Sequence, residues 1–392
     1  MSRLVPVALA ATALTAALAA CGGPAVPTGV DCAPAEGALV LVVGAHANAP
    51  LPDIPASLGC LIRSSIAAHR PIGVVGVDGT PEVDPRLAGK VFSLRTGNSA
   101  ALTQDINAAA GSVVSAVRGL HPDSDGADVV SALGIAHDLA VSAGGGHATV
   151  VVLDPMLPDS GPLKLTEPGW AGADPTEVAD HLERSGQLPR ADGLSYELVG
   201  VGYTAAPQQP LPAAMRDNVS AIWTEVLRRG GAIVTVDPAP RQGDGPITPF
   251  TTRTVPLAEI AQPSLCAGRR LVFDNASALG FVADSAELRD PTGAAAALAG
   301  VADWLRGDAG RRADLVGTTA RVGDSAGQVA LSRRRAEAVA QALVGLGVAA
   351  GRLHVEGVGS DFDGYVPDAG DPAARQLNRT VRLTLSGPST SC

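Results

Sequence analysis

The sequence predicts an α/β protein with two domains, and three observations support this prediction. Its 392 residues exceed the usual size of one domain. Hydrophobic residues make up 46% of the chain and charged residues only 17%, so the chain can bury a sizeable core. A segment with four prolines and no periodicity is typical of an interdomain linker and divides two runs of alternating strands and helices. We expect a tether over 21–37, a first domain over 38–242, a linker over 243–268, a second domain over 269–387 and a tail over 388–392.

Short apolar strands alternate with helical stretches throughout the first domain. The helix expected over 213–229, for example, has Met215, Val219, Ile222 and Val226 on one face. Alternation of this kind predicts a doubly wound, mainly parallel sheet with helices on both faces. The expected strands are 38–43, 72–77, 149–153, 196–201 and 233–236, and the other expected helices are 57–69, 99–118 and 128–142.

The second domain has a different element order and no sequence repeat that relates it to the first. Asp290 followed by Pro291 is a helix-start signal, because the carboxylate caps the helix and proline suits its first position. A helix is therefore expected over 291–306. The other expected elements are strands or turns at 271–273 and 279–282, strands at 314–318, 353–358 and 381–385, and a helix over 328–345.

The charge of the chain is acidic overall and unevenly distributed. The net charge is -10, and residues 269–392 carry 14 basic and 14 acidic side chains against 15 and 25 in the first 268 residues. Neither part offers a basic stripe that could neutralise phosphates. We therefore expect no nucleic-acid partner.

The N-terminus has the pattern of an export signal. Arg3 precedes an apolar run from Leu4 to Ala17 that is too short to span a membrane. The stretch 18–21, Leu-Ala-Ala-Cys, resembles the bacterial lipobox, in which the cysteine receives diacylglycerol and becomes the first residue after cleavage. Residues 1–20 are then a lipoprotein signal peptide and Cys21 carries the membrane anchor. An ordinary cleaved signal peptide is the alternative.

Four cysteines remain after Cys21: Cys32, Cys60, Cys266 and Cys392. An even number in an exported protein favours structural disulfides, and no spacing typical of zinc ligands is present. Free buried thiols are the alternative. Because Cys266 and Cys392 flank the second domain, we expect them to pair, leaving Cys32 to pair with Cys60 near the start of the first domain.

Three motifs of the second domain resemble the OmpA-like, peptidoglycan-associated domain. They are FVADSAEL at 281–288, LSRRRA at 331–336 and NRTV at 378–381, and the resemblance covers 281–385. It implies a compact βαβαβ sandwich that binds diaminopimelate-type stem peptides of the cell wall. A zwitterionic amino-acid end needs a cation for its carboxylate and an acceptor for its ammonium group.

The resemblance also implies which residues bind the ligand. It places Arg335 on the ligand carboxylate, whereas an ordinary surface arginine is the alternative. The family's Gly-x-Thr-Asp turn corresponds to 317–320, where Thr319 matches the threonine and Ala320 replaces the aspartate. Asp324 in the same loop is a candidate substitute. Peptidoglycan binding is therefore expected to be weakened or lost.

The first domain resembles, less specifically, a von Willebrand factor A-type domain over 38–237. That family holds a divalent cation with oxygen ligands after the first and fourth strands and in a loop between them. Of the matching positions only Asp154 carries a carboxylate, so we expect a protein-contact or structural domain without a metal or other cofactor. Its expected partner is an envelope protein. The other matching positions are Gly44, His46, Asn48 and Ala127.

Two further motifs point to other functions. Residues 323–327 match the G-x-S-x-G elbow of serine hydrolases, but after Ser325 the sequence offers only His354 and, between them, the helical Glu337. Residues 200–205 approximate a dinucleotide motif, yet prolines follow where a helix should begin. We therefore predict a non-enzymatic envelope lipoprotein, with a scaffold that does not bind peptidoglycan as the alternative and a Ser325 hydrolase as a remote one.

Overall fold

A computed structural model describes residues 32–388, except 145, 242, 258–264, 275, 276 and 278. The predicted signal peptide, Cys21 and Cys392 lie outside the described residues. Within the described residues, no helix combines the length and apolarity needed to cross a membrane.

The first domain is built on a six-stranded mixed sheet with the order β3-β2-β1-β4-β5-β6. Five of these strands run parallel and β3 is an antiparallel edge strand. Because β1 lies inside the sheet and is buried on both faces, its sequence is continuously apolar rather than alternating. The strands are β1 (Ala38–Gly44), β2 (Ile72–Val77), β3 (Glu82–Val83), β4 (Ala148–Leu153), β5 (Leu194–Val199) and β6 (Ile233–Asp237).

Helices cover both faces of this sheet, so the mixed α/β architecture is confirmed. One core packs α3, α4 and α5 against the sheet around Trp223 and Leu133. The other core packs α1 and α2 around Ile62 and Val113. The helices are α1 (Ala56–Ala67), α2 (Ser99–Arg118), α3 (Val129–Gly144), α4 (Pro175–Arg184) and α5 (Ala213–Arg229).

The Pro-rich segment after β6 lies against the first domain for part of its length. The backbone oxygen of Asp244 accepts a hydrogen bond from the Leu51 amide at 2.8 Å. The Arg253 amide donates to Asp159 at 2.7 Å, and Val255 is buried in the core. This part of the expected linker is thus attached to the first domain, while 258–264 lies outside the described residues.

The second domain has a four-stranded sheet with the order β7-β10-β8-β9. β10 pairs antiparallel with β7 and β8, and β8 pairs parallel with β9. Helices α6 and α7 pack on it around buried Leu298, Val339 and Leu383. The elements are β7 (Arg270–Asp274), α6 (Pro291–Arg306), β8 (Arg312–Gly317), α7 (Ser325–Gly345), β9 (Leu353–Gly357), α8 (Pro372–Asn378) and β10 (Thr380–Ser386).

The expected element at 279–282 is a turn rather than a strand. Only one isolated bridge, between Phe281 and Leu288, forms there. The chain reverses because Asp284 adopts a positive φ of 51° and the Val282 amide donates to the backbone oxygen of Glu287 at 2.9 Å. This turn brings Ser285 to the side of α7.

Cys32 and Cys60 form a disulfide, as expected, and it attaches the start of the described chain to α1. Cys266 is also disulfide-bonded. Its expected partner, Cys392, lies outside the described residues, so that pairing stays a prediction.

Candidate functional site

A cavity of about 90 Å³ lies in the second domain where it meets the first. Four segments of the second domain surround it: α7, the loop after β8, the turn after Phe281, and the end of α8. One lining residue, Asp174, comes from the first domain. The lining residues that bear on chemistry are Asp174, Asp284, Arg289, Thr319, Arg335 and Arg379.

Arg335 is a buried cation on α7 with only 4% of its surface exposed. Its Nε donates to the backbone oxygen of Ser285 at 2.9 Å, and its guanidinium lies 5.3 Å from the centre of the Phe281 ring. Burial and then the nearby charge of Arg379 lower the pKa of Arg335 to about 10. Because no described carboxylate lies within salt-bridge distance, a positive charge faces the cavity without a direct counterion.

The loop after β8 contributes a hydroxyl and a small apolar side chain. The backbone amide of Thr319 donates to Gly359 at 2.9 Å, whereas its buried Oγ1 hydrogen-bonds with no described group. Ala320, which is 3% exposed, lines the cavity where the family resemblance has an aspartate. This loop therefore supplies no carboxylate.

Two aspartates of the second domain lie near this loop in different settings. Asp324 is exposed and caps α7 by accepting a hydrogen bond from the Gly327 amide at 2.8 Å. It is not among the residues that line the cavity. Asp284 does line the cavity and is exposed, and its charge opposes the lowering of the Arg335 pKa.

Asp174 reaches the cavity from the first domain. Its Oδ1 caps α4 by accepting from the Thr176 amide at 2.9 Å and the Glu177 amide at 3.2 Å. Pro175 occupies the first helical position, where a missing amide costs nothing. The cap thereby fixes the carboxylate at one wall of the cavity.

Glu177, in the first turn of α4, binds two arginines of the second domain. It accepts hydrogen bonds from both terminal nitrogens of Arg379, at 2.9 and 2.7 Å, and from Arg375 at 3.1 Å. Its side chain is only 16% exposed. Such a bidentate pair combines charge attraction with a fixed geometry, and it joins the two domains at the rim of the cavity.

Arg289 is held from both domains as well. Its Nη1 donates to Oδ1 of Asn218 on α5 at 2.8 Å, and its Nε donates to the backbone oxygen of Phe281 at 2.7 Å. Burial lowers the pKa of Arg289, and the charge of Asp174 opposes this shift. Asp174 and Arg289 both line the cavity.

Sequence reasoning missed the two helices that form this interdomain contact, α4 and α8. Both begin with the Asp-Pro signal that correctly located α6 at Asp290: Asp174 precedes Pro175, and Asp371 precedes Pro372. The signal was therefore available. Both helices are short, so their apolar periodicity is weak.

The positions matched to a metal site in the first domain hold a closed polar cluster. His46 Nε2 lies 3.0 Å from Asp154 Oδ2, and both side chains are fully buried. A Cβ added to Gly44 would lie 2.7 Å from the same oxygen, so the space beside Asp154 is filled. The described residues contain no group of three His, Cys, Asp or Glu side chains that could hold a metal ion.

Ser325 is the exposed first residue of α7. His354, on β9, has its Nδ1 3.7 Å from Asp314. In the described part of the chain, no hydrogen bond joins Ser325 to a histidine.

Residues 280–379 match the sequence model of the OmpA family. The second domain is OmpA-like. No curated protein matches the chain.

Solved structures of several bacterial proteins resemble about a third of this chain. The peptidoglycan-associated lipoprotein of Burkholderia pseudomallei is 28% identical, over 30% of this chain and 90% of its own, with a TM-score of 0.25. A MotB-like protein of Desulfovibrio vulgaris is 25% identical, over 30% and 75%, with a TM-score of 0.26. An outer membrane protein of Borrelia burgdorferi is 22% identical, over 30% and 88%, with a TM-score of 0.23.

Proposed function

We propose that this protein is a non-enzymatic lipoprotein of the bacterial envelope whose OmpA-like domain binds the stem peptide of peptidoglycan. Arg335 binds the carboxylate of a zwitterionic amino-acid end. Cys21 carries the lipid anchor, so the chain links a membrane to the cell wall.

The observation that carries this proposal is the setting of Arg335. A buried charge without a counterion is costly, and proteins retain one where a ligand supplies the counterion. The guanidinium faces a cavity that also presents the unpartnered hydroxyl of Thr319. Arg335 further lies in the LSRRRA segment, within the range that matches the OmpA family.

The size of the cavity supports an amino-acid end as the ligand. At about 90 Å³, the cavity has room for a small charged group such as an α-carbon with its ammonium and carboxylate groups. The remainder of a stem peptide would extend along the surface of the second domain.

The first domain is, in this proposal, a von Willebrand factor A-like domain that works without a metal and contacts an envelope protein. The His46 ring supports this, because it occupies the space beside Asp154 that a cation would need. The disulfide between Cys32 and Cys60 supports an oxidising compartment outside the cytoplasm.

Sedimentation with purified sacculi tests the proposal. We expect the wild-type protein to sediment with sacculi and Arg335→Ala to remain in the supernatant. Arg334→Ala is the matched control, since it removes the same charge from an exposed neighbour on α7. Equal sedimentation of the wild type and Arg335→Ala would contradict the role of Arg335.

A scaffold that does not bind peptidoglycan is the second candidate. The observation that favours it is the ion pair of Glu177 with Arg379 at the rim of the cavity, because this arginine binds the first domain rather than a ligand. Under this alternative the cavity edge serves contact between the domains, and the wild-type protein would stay in the supernatant at every concentration of sacculi.

A further inference from the structure

The OmpA-like domain offers Arg335 as a cation for the carboxylate of a zwitterion. At the position where the family has an acceptor for the ammonium group, however, it has Ala320, which lacks a carboxylate. We propose that the first domain completes the pocket, with Asp174 as the acceptor for the ligand's ammonium group. This inference rests on the proposed function and adds a specificity-determining residue from another domain.

The position of Asp174 supports this assignment. It lines the same cavity as Ala320 and Arg335, and it is half-buried. Its Oδ1 accepts the two cap hydrogen bonds, and no described donor pairs with its Oδ2. One carboxylate oxygen is therefore free to accept from a ligand while the other keeps the side chain in place.

Asp174 and Asp284, the other lining aspartate, differ in their settings. Asp284 is exposed and precedes Ser285, whose backbone oxygen accepts from Arg335, whereas Asp174 is half-buried at the start of α4. Asp284 thus lies on the turn that contacts the cation expected to bind the carboxylate, and Asp174 reaches the cavity from the other domain. A zwitterion needs its two partners on different sides, because its own charges are separated by the α-carbon.

The contact between the domains fixes Asp174 against the second domain. Glu177 holds Arg379 in a bidentate pair one turn away on α4. Gly169, with a φ of 88°, packs so closely on α8 that a Cβ there would lie 2.5 Å from the Ala373 oxygen. Asn218 links Arg289 to the same region by accepting its hydrogen bond. Several independent contacts therefore preorganise the composite pocket.

Isothermal titration of the full chain in detergent tests the inference with two probes. One is meso-diaminopimelate, and the other is pimelate, which has the same carbon chain and carboxylates but no ammonium groups. We expect Asp174→Asn to weaken diaminopimelate binding roughly 10- to 100-fold, the range for one charge-assisted contact, and to leave pimelate binding unchanged. Asparagine retains the helix cap but presents an amide donor where the free oxygen was.

Asp290→Asn is the matched control, because Asp290 caps α6 in the same Asp-Pro context and does not line the cavity. It should bind both probes as the wild type does. Adding Ala320→Asp to Asp174→Asn should restore diaminopimelate binding, since the carboxylate would then come from the second domain.

The outcomes distinguish this inference from the function on which it rests. Full binding by Asp174→Asn together with loss in Arg335→Ala would overturn the inference and leave the proposed function standing. A loss confined to Asp284→Asn would also overturn it and assign the acceptor to that residue. No binding of either probe by the wild type would overturn the proposed function itself.

Discussion

Each domain buries a cluster of charged and polar side chains, yet the two clusters are built in opposite ways. In the first domain, the Asp154 carboxylate is 3.0 Å from His46 and accepts the Met156 amide at 2.5 Å. The cavity beside it measures only about 10 Å³. In the second domain, Arg335 faces about 90 Å³ and has no described carboxylate within salt-bridge distance.

The difference teaches that burial of a charge does not by itself identify a ligand site. Both clusters leave a buried polar atom without a described hydrogen-bond partner, Nδ1 of His46 in one and Oγ1 of Thr319 in the other. They differ in whether the protein itself supplies the opposite group and fills the space. We therefore expect the first cluster to stabilise its domain, and the second to lower stability while it leaves a cavity open.

Substitution of His46 should give the largest loss of stability. If it did not, the contrast between the two clusters would not hold. His46→Ala leaves the buried Asp154 carboxylate without its side-chain partner, which should lower the free energy of unfolding by roughly 3 to 5 kcal/mol. Urea unfolding of the full chain, followed by tryptophan fluorescence, measures the change.

His121→Ala is the control for that measurement, because 76% of the His121 side chain is exposed. It should unfold as the wild type does. Equal stability of His46→Ala and the wild type would mean that the first cluster is not a closed structural unit.

Most of the fold could be predicted from the sequence. Continuous apolar runs locate the buried parallel strands, and β1, β2 and α5 lie within one residue of their expected bounds. The sequence of 279–282 allows either a strand or a turn, because four residues do not specify a partner strand. Its conformation is set by Asp284, whose positive φ the sequence does not reveal.

The candidate site was predictable only in part. Arg335 and Thr319 line the cavity and were named from the OmpA-like motifs, although their roles stay predictions. Asp174 could not be found in this way, because it lies about 160 residues before Arg335 and no motif relates the two. Its place in the cavity depends on how the domains pack, and contacts between residues far apart in the sequence, such as Glu177 with Arg379, hold that packing.

Arg335→Leu tests the second cluster, where we expect the free energy of unfolding to change in the opposite direction. Burial lowers the pKa of Arg335, so the charged form is disfavoured in the folded state and destabilises it at neutral pH. Leucine removes that cost, and the free energy of unfolding should stay equal or rise by about 1 to 2 kcal/mol while ligand binding is lost. The same urea unfolding experiment checks this, and a fall as large as that of His46→Ala would contradict it.

Asp84 provides an intermediate arrangement, in which a buried carboxylate pairs with a solvent-exposed partner. Its substitution should give the smallest change in the free energy of unfolding. Its side chain is 3% exposed, while that of Arg86, its partner at 2.6 Å, is 68% exposed. The hydrogen bond from Arg86 holds the pKa of Asp84 below its usual value of 3.8. The folded state is therefore stabilised above that pH, and this contribution is lost as pH falls through the lower folded pKa.

Because water screens Arg86, Asp84→Asn should lower the free energy of unfolding at pH 7 by less than about 1 kcal/mol, with the difference from the wild type vanishing in acid. Asn keeps the cap on the Arg86 amide, so the variant removes the charge and the Oδ2 acceptor of the Arg86 side chain. Unfolding measured from pH 7 to pH 2 checks both points, with exposed Asp361→Asn as the control. A loss as large as that of His46→Ala would mean that burial of the carboxylate, and not the location of its partner, determines the stability of these clusters.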